Sequence, residues 1–208
     1  MQLDWDVEAL ATRITALPFR NKRRLIALAG PPASGKSTLA HALADHLPNS
    51  CALPMDGFHL DNRILRERGL IARKGAPETF DVAGLQHLLQ RLQNEDDVVY
   101  PLFDRHLDCA VAGAGIAEVS ATTVIVEGNY LLLDAPYWRD LRALWDFAVY
   151  VSVSPDALRN RLLTRWHDHG FSREDAQAKV EQNDMPNAET TRNALLAPDC
   201  IIHEKPAP

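Results

Sequence analysis

Between Leu25 and Leu47 the chain passes from an unbroken apolar run, Leu25-Ile26-Ala27-Leu28-Ala29, through Gly30-Pro31-Pro32-Ala33-Ser34-Gly35-Lys36-Ser37-Thr38, into a segment of helical character from Ser37 to Leu47. Strand, glycine-bearing loop and helix in that order leave few folds open. The loop matches G-x-x-x-x-G-K-[ST] in full, and each fixed position has a physical task. Gly30 and Gly35 allow backbone conformations that turn successive N–H groups inward around phosphate oxygens. Lys36 neutralises the β- and γ-phosphates, Ser37 offers a hydroxyl to Mg²⁺, and the helix that follows adds its N-terminal donors. Ala33, Ser34 and Thr38 complete the set expected to touch the nucleotide. The implied ligands are ATP and Mg²⁺.

Further apolar runs read as buried strands: Cys51 to Met55, Val98 to Phe103, Thr123 to Glu127, Phe147 to Val153 and, more weakly, Cys200 to His203. Helical patterns lie between most of them. Leu85, Leu88, Leu89 and Leu92 mark one helix, Ser154-Pro155 supplies an N-cap and first-turn proline for another, and Ser172 with Asp175 resembles a capping box for a third. Leu3, Val7, Leu10, Ile14 and Leu17 repeat at helical spacing, which predicts an opening helix over residues 1–18. Alternating strands and helices predict an α/β fold with a doubly wound parallel sheet, one domain over residues 1–208.

Charge and cysteine usage narrow the function. A formal net charge of −6 argues against a duplex-binding protein, which needs a basic face to neutralise phosphates. Three cysteines without metal-ligand spacing, Cys51, Cys109 and Cys200, predict neither a disulfide framework nor a zinc site and suit a reducing, cytoplasmic setting. No stretch approaches the ~20 apolar residues of a membrane span, so neither membrane nor nucleic acid is an expected partner. A homodimer stays open as the assembly.

A triphosphate site does not identify what receives the phosphoryl group. A GTPase-type switch should show D-x-x-G and N-K-x-D; Asp81-Val82-Ala83-Gly84 fits the first by letters, and N-K-x-D is absent. A motor or transporter ATPase needs a larger coupling apparatus. A small-molecule kinase needs an acceptor pocket, a base and a lid. Two predicted strands end in acids suited to that work, Asp56 in Met55-Asp56-Gly57-Phe58-His59 and Glu127 in Val126-Glu127-Gly128. Either acid can instead cap the glycine turn that follows it. Arg159, Arg161 and Arg165 lie on one predicted helix, with Arg161 and Arg165 four residues apart on a shared face, which suits a lid over transferred charge, about 155–190.

Taken in order, the phosphate loop, Met55-Asp56-Gly57-Phe58-His59-Leu60-Asp61-Asn62, Arg73-Lys74-Gly75-Ala76-Pro77-Glu78-Thr79-Phe80-Asp81, Pro101-Leu102-Phe103-Asp104-Arg105, Glu127-Gly128-Asn129 and Asn183-Asp184-Met185-Pro186-Asn187 resemble the P-loop kinases that include uridine kinase, bacterial pantothenate kinase and phosphoribulokinase. The likeness extends from about Leu25 to His203 and is greatest to the short bacterial branch labelled fructose transport system kinase. It implies a P-loop nucleoside triphosphate hydrolase/kinase fold with a helical lid, and transfer of the ATP γ-phosphoryl group to a small-molecule hydroxyl. On this likeness Asp56 accepts the acceptor proton and, with Ser37 and Glu127, holds Mg²⁺. Lys36, Arg161 and Arg165 act on phosphate charge. Lys74, Asp104 and Arg105 line the acceptor pocket with His59, a second candidate proton acceptor, and Asn187 lies near the adenine end. Gly57-Phe58-His59 stands where uridine kinases carry an aromatic pair, and the chain is much shorter than pantothenate kinases. A sugar or sugar-like alcohol is the first expectation for the acceptor, followed by pantothenate-like acids and nucleosides. Arg63, Arg66, Arg68, Arg73 and Lys74 hint at an anionic acceptor or form a solvated basic face. A non-catalytic ATP-binding regulator of sugar uptake is the alternative from another class.

Overall fold

The computed structural model describes residues 2–3 and 5–203. In chain order its elements are β1 (Gln2–Leu3), α1 (Val7–Thr15), β2 (Arg24–Ala29), α2 (Lys36–His46), β3 (Ser50–Pro54), α3 (Asn62–Glu67), α4 (Val82–Asn94), β4 (Val98–Asp104), β5 (Cys109–Ala117), β6 (Thr123–Gly128), β7 (Phe147–Ser152), α5 (Pro155–Asp168), α6 (Arg173–Lys179), α7 (Met185–Asn193) and β8 (Cys200–His203). Six strands make one sheet in the order β1-β8-β7-β2-β6-β3, with every pairing parallel. Successive residues of a strand face opposite sides. Leu25, Ala27 and Ala29 therefore join Leu85, Leu88 and Leu92 of α4 in one core. Ile26 and Leu28 join Leu10, Leu39, Leu43 and Leu158 of α1, α2 and α5 in another. Both faces being covered explains why these strands read as continuous apolar runs. No helix among the described residues is long and apolar enough to cross a membrane.

Two expectations change. The opening helix begins at Val7, because Asp6 takes extended backbone (φ −128°, ψ 104°) and accepts a hydrogen bond from the Ala9 N–H. Gln2–Leu3 instead pairs in parallel with Ile201 and Ile202. The Val98 run does not enter the main sheet: β4 forms an antiparallel hairpin with β5, and its register shifts between Tyr100 and Leu102, around a proline that cannot donate to the ladder. Asp81, the acid of the D-x-x-G match, is the N-cap of α4 and accepts from the Gly84 N–H at 2.9 Å.

One buried cation ties this frame together. Arg23, 1% exposed, donates through Nε to the Ala121 carbonyl at 2.8 Å and through Nη1 to the Leu92 and Glu95 carbonyls at 3.0 and 2.7 Å. Its Nη2 reaches the Glu118 carbonyl at 3.1 Å and also the Asp96 carbonyl. The guanidinium thus joins the C-terminal end of α4, where helix carbonyls favour a cation, to the turn entering β6. Arg23→Met strands these carbonyls and should lower unfolding stability by about 3 kcal/mol, roughly 6–12 °C in Tm. Thermal and denaturant unfolding measure it; a shift below about 0.5 kcal/mol contradicts this role.

Candidate active site

In the sheet register Glu127 lies opposite Leu28 of β2 on one side and Pro54 of β3 on the other. The phosphate loop, the turn bearing Asp56 and the Glu127-Gly128 turn consequently emerge side by side at the carboxyl ends of the strands, where open α/β sheets bind ligands. A cavity of about 630 Å³ opens there, with Lys36, Asp56, His59, Glu127 and Arg165 among its walls.

Gly35, at φ +88°, is the N-cap of α2, a left-handed backbone state that favours glycine. Lys36 opens the helix, is only 9% exposed, and donates to the Pro31 carbonyl at 3.3 Å. Burial lowers its pKa, and the Glu127 and Asp56 carboxylates oppose that shift. Ser37 donates its hydroxyl hydrogen to Glu127 Oε1 at 3.0 Å. Burial raises the Glu127 pKa, Lys36 counters it, and the Asp56 charge raises it further. A serine hydroxyl and two facing carboxylates are the hard oxygen donors that suit Mg²⁺, whose charge would relieve the crowding of the two acids. Ala33, Gly35 and Thr38 also line the cavity, whereas Gly30 and Ser34 stand outside its walls.

Asp56 lies in the 3-10 turn Met55–Phe58. Among the described residues its carboxylate accepts no backbone N–H; its charged neighbour is Arg105, Nη2 to Oδ2 at 3.9 Å. The turn-capping reading of this acid therefore lacks the hydrogen bond it needs. Gly57 is required for another reason: a Cβ there would fall 2.1 Å from the Pro101 carbonyl oxygen of β4. His59 Nδ1 lies 2.8 Å from the Asp56 carbonyl oxygen, a donor position that leaves Nε2 as the acceptor. Burial lowers the His59 pKa, keeping the ring neutral, and the ring packs 4.0 Å from Phe80 and 4.8 Å from Phe103 between centroids.

Lys74 lines the cavity, but its Nζ is engaged by Asn62 Oδ1 at 2.7 Å, the Asp108 carbonyl at 2.7 Å and Asp108 Oδ1 at 2.8 Å. Asp104 does not line it: its carboxylate accepts from the His106 and Leu107 N–H groups and so shapes the β4–β5 turn. Asp108, four residues on at φ +51°, takes the wall position instead. Asn187 was expected at the adenine end. Its carbonyl oxygen lies 3.5 Å from Arg73 Nη2 and its amide donates to Asn183 Oδ1, while Asn183 donates to the Lys74 carbonyl, so it belongs to the Lys74 wall. Tyr130, next to the Glu127 turn, fixes the same wall by donating to the Gly75 carbonyl at 2.6 Å.

The two lid arginines separate. Arg165 enters the main cavity, where burial and then the Arg105 charge lower its pKa. Arg161, one turn earlier on α5, lies outside that cavity with Nη1 3.5 Å from the Ala33 carbonyl oxygen. Trp166 and Lys179, which sequence reading missed, also line the main cavity. Trp166 Nε1 donates to Asp184 Oδ2 at 2.6 Å from the π-helical turn Val180–Asp184, a geometry whose i→i+5 pattern leaves no sequence signature.

A family model described as an AAA domain matches residues 26–182. The crystal structure of a candidate fructose transport system kinase from Silicibacter sp. TM1040 is 46% identical, with TM-score 0.89, covering 94% of this chain and 98% of that one. A candidate uridine kinase from Schizosaccharomyces pombe is 33% identical across 95% of this chain and 90% of its own length. Pantothenate kinase from Leifsonia xyli subsp. xyli is 34% identical across 78% of this chain, which spans 50% of that enzyme. Together with the phosphate loop and its flanking acids, these matches show that the chain belongs to the AAA-domain family of P-loop kinases, of the uridine and pantothenate kinase type.

Proposed function

We propose that this protein transfers the γ-phosphoryl group of ATP to a hydroxyl of a neutral sugar or sugar-like alcohol in the cytoplasm. The observation that carries the reading is Asp56, a carboxylate released from capping and held in one cavity with Lys36 and Glu127. Lys36 binds the transferred phosphate, Arg165 offsets the charge that spreads over it, and Asp56 orients the acceptor hydroxyl and takes its proton. Ser37, Asp56 and Glu127 would hold Mg²⁺, which when bound neutralises phosphate charge. The Nε2 of His59, left as a hydrogen-bond acceptor, suits a hydroxyl group better than a carboxylate.

The pairing of nearby cations favours a neutral acceptor over an anionic one. Lys74 is matched by Asp108 at 2.8 Å, Arg73 by Glu78 at 3.7 Å and Arg63 by Asp61 at 3.0 Å, so three of the five cations of the basic run, including the one that lines the cavity, carry an acidic partner. The fructose label of the Silicibacter structure supports a sugar, while the pantothenate kinase match supports an acid. ADP release measured on a panel of sugars, sugar phosphates, nucleosides and pantothenate should rise with a neutral sugar or polyol. Stimulation by pantothenate or a nucleoside alone would overturn the acceptor class, and none by any hydroxyl compound would favour the ATP-binding regulator. Lys36→Ala should abolish the stimulated rate.

The separation of the lid arginines makes a second prediction. Arg165→Ala should lower kcat by about 10²-fold with little change in ATP affinity. Arg161→Ala should mainly raise the KM for ATP. Steady-state kinetics and calorimetry distinguish the two, and equal losses in both parameters for both variants would contradict the assignment.

A further inference from the structure

Trp5 lies against the outside of the phosphate loop. A Cβ built on Gly35 would stand 3.2 Å from its Cη2 and 3.7 Å from its Cζ3, so the benzo edge of the indole seats on a loop residue that has no side chain. The rest of the ring is half-buried and packs on the core beneath α1 and α2. Beside it opens a second cavity of about 320 Å³, lined by Trp5, Ala33, Ser34, Gly35, Thr38 and Arg161.

Three of those residues, Ala33, Gly35 and Thr38, also line the main cavity, so the two spaces meet across the rim of the loop. The main cavity holds Lys36, Asp56 and Glu127, the groups suited to the transferred phosphate. A triphosphate with that end at Lys36 can follow the loop over this shared rim toward Trp5. What lies there suits a flat, aromatic ligand. Trp5 offers an indole, and Arg161 offers a guanidinium held near the Ala33 carbonyl at 3.5 Å; both groups attract planar π systems. Ser34, 1% exposed, adds a hydroxyl with no hydrogen-bond partner among the described residues.

We infer that Trp5 and Arg161 form the nucleobase site, with Trp5 positioning the base of the phosphoryl donor by aromatic contact. This rests on the reading of the loop as the triphosphate site. It reassigns Arg161 from phosphate chemistry to base binding and takes the place of the adenine contact expected of Asn187.

Calorimetry with ATP, ADP and inorganic tripolyphosphate, each with Mg²⁺, tests it on the full chain with Trp5→Ala and Trp5→Phe. Trp5→Ala should weaken ATP and ADP by about 10-fold, the scale of one lost aromatic–base contact, and leave tripolyphosphate within about twofold. Trp5→Phe should recover most of the loss. If ATP and tripolyphosphate weaken together, Trp5 only supports the loop and the base site is overturned; unchanged ATP affinity overturns it equally. Wild-type protein that binds neither ATP nor tripolyphosphate overturns the triphosphate reading and this site with it. Unfolding curves for both variants establish that the comparison is made on folded protein.

Discussion

Leu28, Glu127 and Pro54 lie side by side across three adjacent parallel strands, and that register decides where every chemical group of this molecule can be. The loop after β2 binds phosphate, the acid ending β6 reaches Ser37 at 3.0 Å, and the turn after β3 carries Asp56. A one-residue slip of β6 would turn Glu127 to the opposite face of the sheet. Val124 and Val126 of β6 fill one core and Ile125 the other, so the same slip would exchange the side chains that each core receives. Packing and the placement of the candidate site groups therefore depend on the same residue spacing.

The electrostatics follow from placing these charges together under partial burial. Desolvation lowers the Lys36 pKa while Glu127 and Asp56 oppose that shift, and Glu127 is pushed up by its own burial and by Asp56. The Asp56 and Glu127 carboxylates share the cavity with Lys36, Arg105 and Arg165, so the acids already face cations, and a divalent cation would add further positive charge for the phosphates. On the opposite wall the cations are already paired, Lys74 with Asp108 and Arg73 with Glu78. The cavity thus gathers groups suited to phosphate charge beside the loop and cations with acidic partners on the Lys74 wall.

The phosphate loop, the six-strand reading of most apolar runs and the acids at Asp56 and Glu127 were legible because each depends on local pattern: strand runs, glycine and a strand-end carboxylate. The β4–β5 hairpin was half legible. Cys109–Ala117 reads Cys-Ala-Val-Ala-Gly-Ala-Gly-Ile-Ala, with few β-branched residues to mark a strand, so the Val98 to Phe103 run reads as one more strand of the parallel sheet, and nothing in it shows that the Asp104 carboxylate shapes a hairpin turn. Arg23 gave no signal, since its partners are backbone carbonyls from residues about seventy to a hundred positions away. For Asn187 a helical position alone does not say which wall of the cavity it meets; the fold sets it beside Arg73 and Asn183. Arg161 and Arg165 share a helix face, and only the position of α5 along the loop separates their surroundings.

The central claim is that Asp56 serves the acceptor hydroxyl and not the turn. Asp56→Asn keeps the size of the side chain while removing its negative charge and its capacity to take a proton. The decisive measurement is kcat of Asp56→Asn on the activating acceptor, alongside its Tm and ATP affinity. The account predicts near wild-type stability, retained ATP binding and a loss of about 10²-fold or more in kcat. A variant that turns over at the wild-type rate, with a stability change of about 1 kcal/mol, would return Asp56 to the turn and contradict the account.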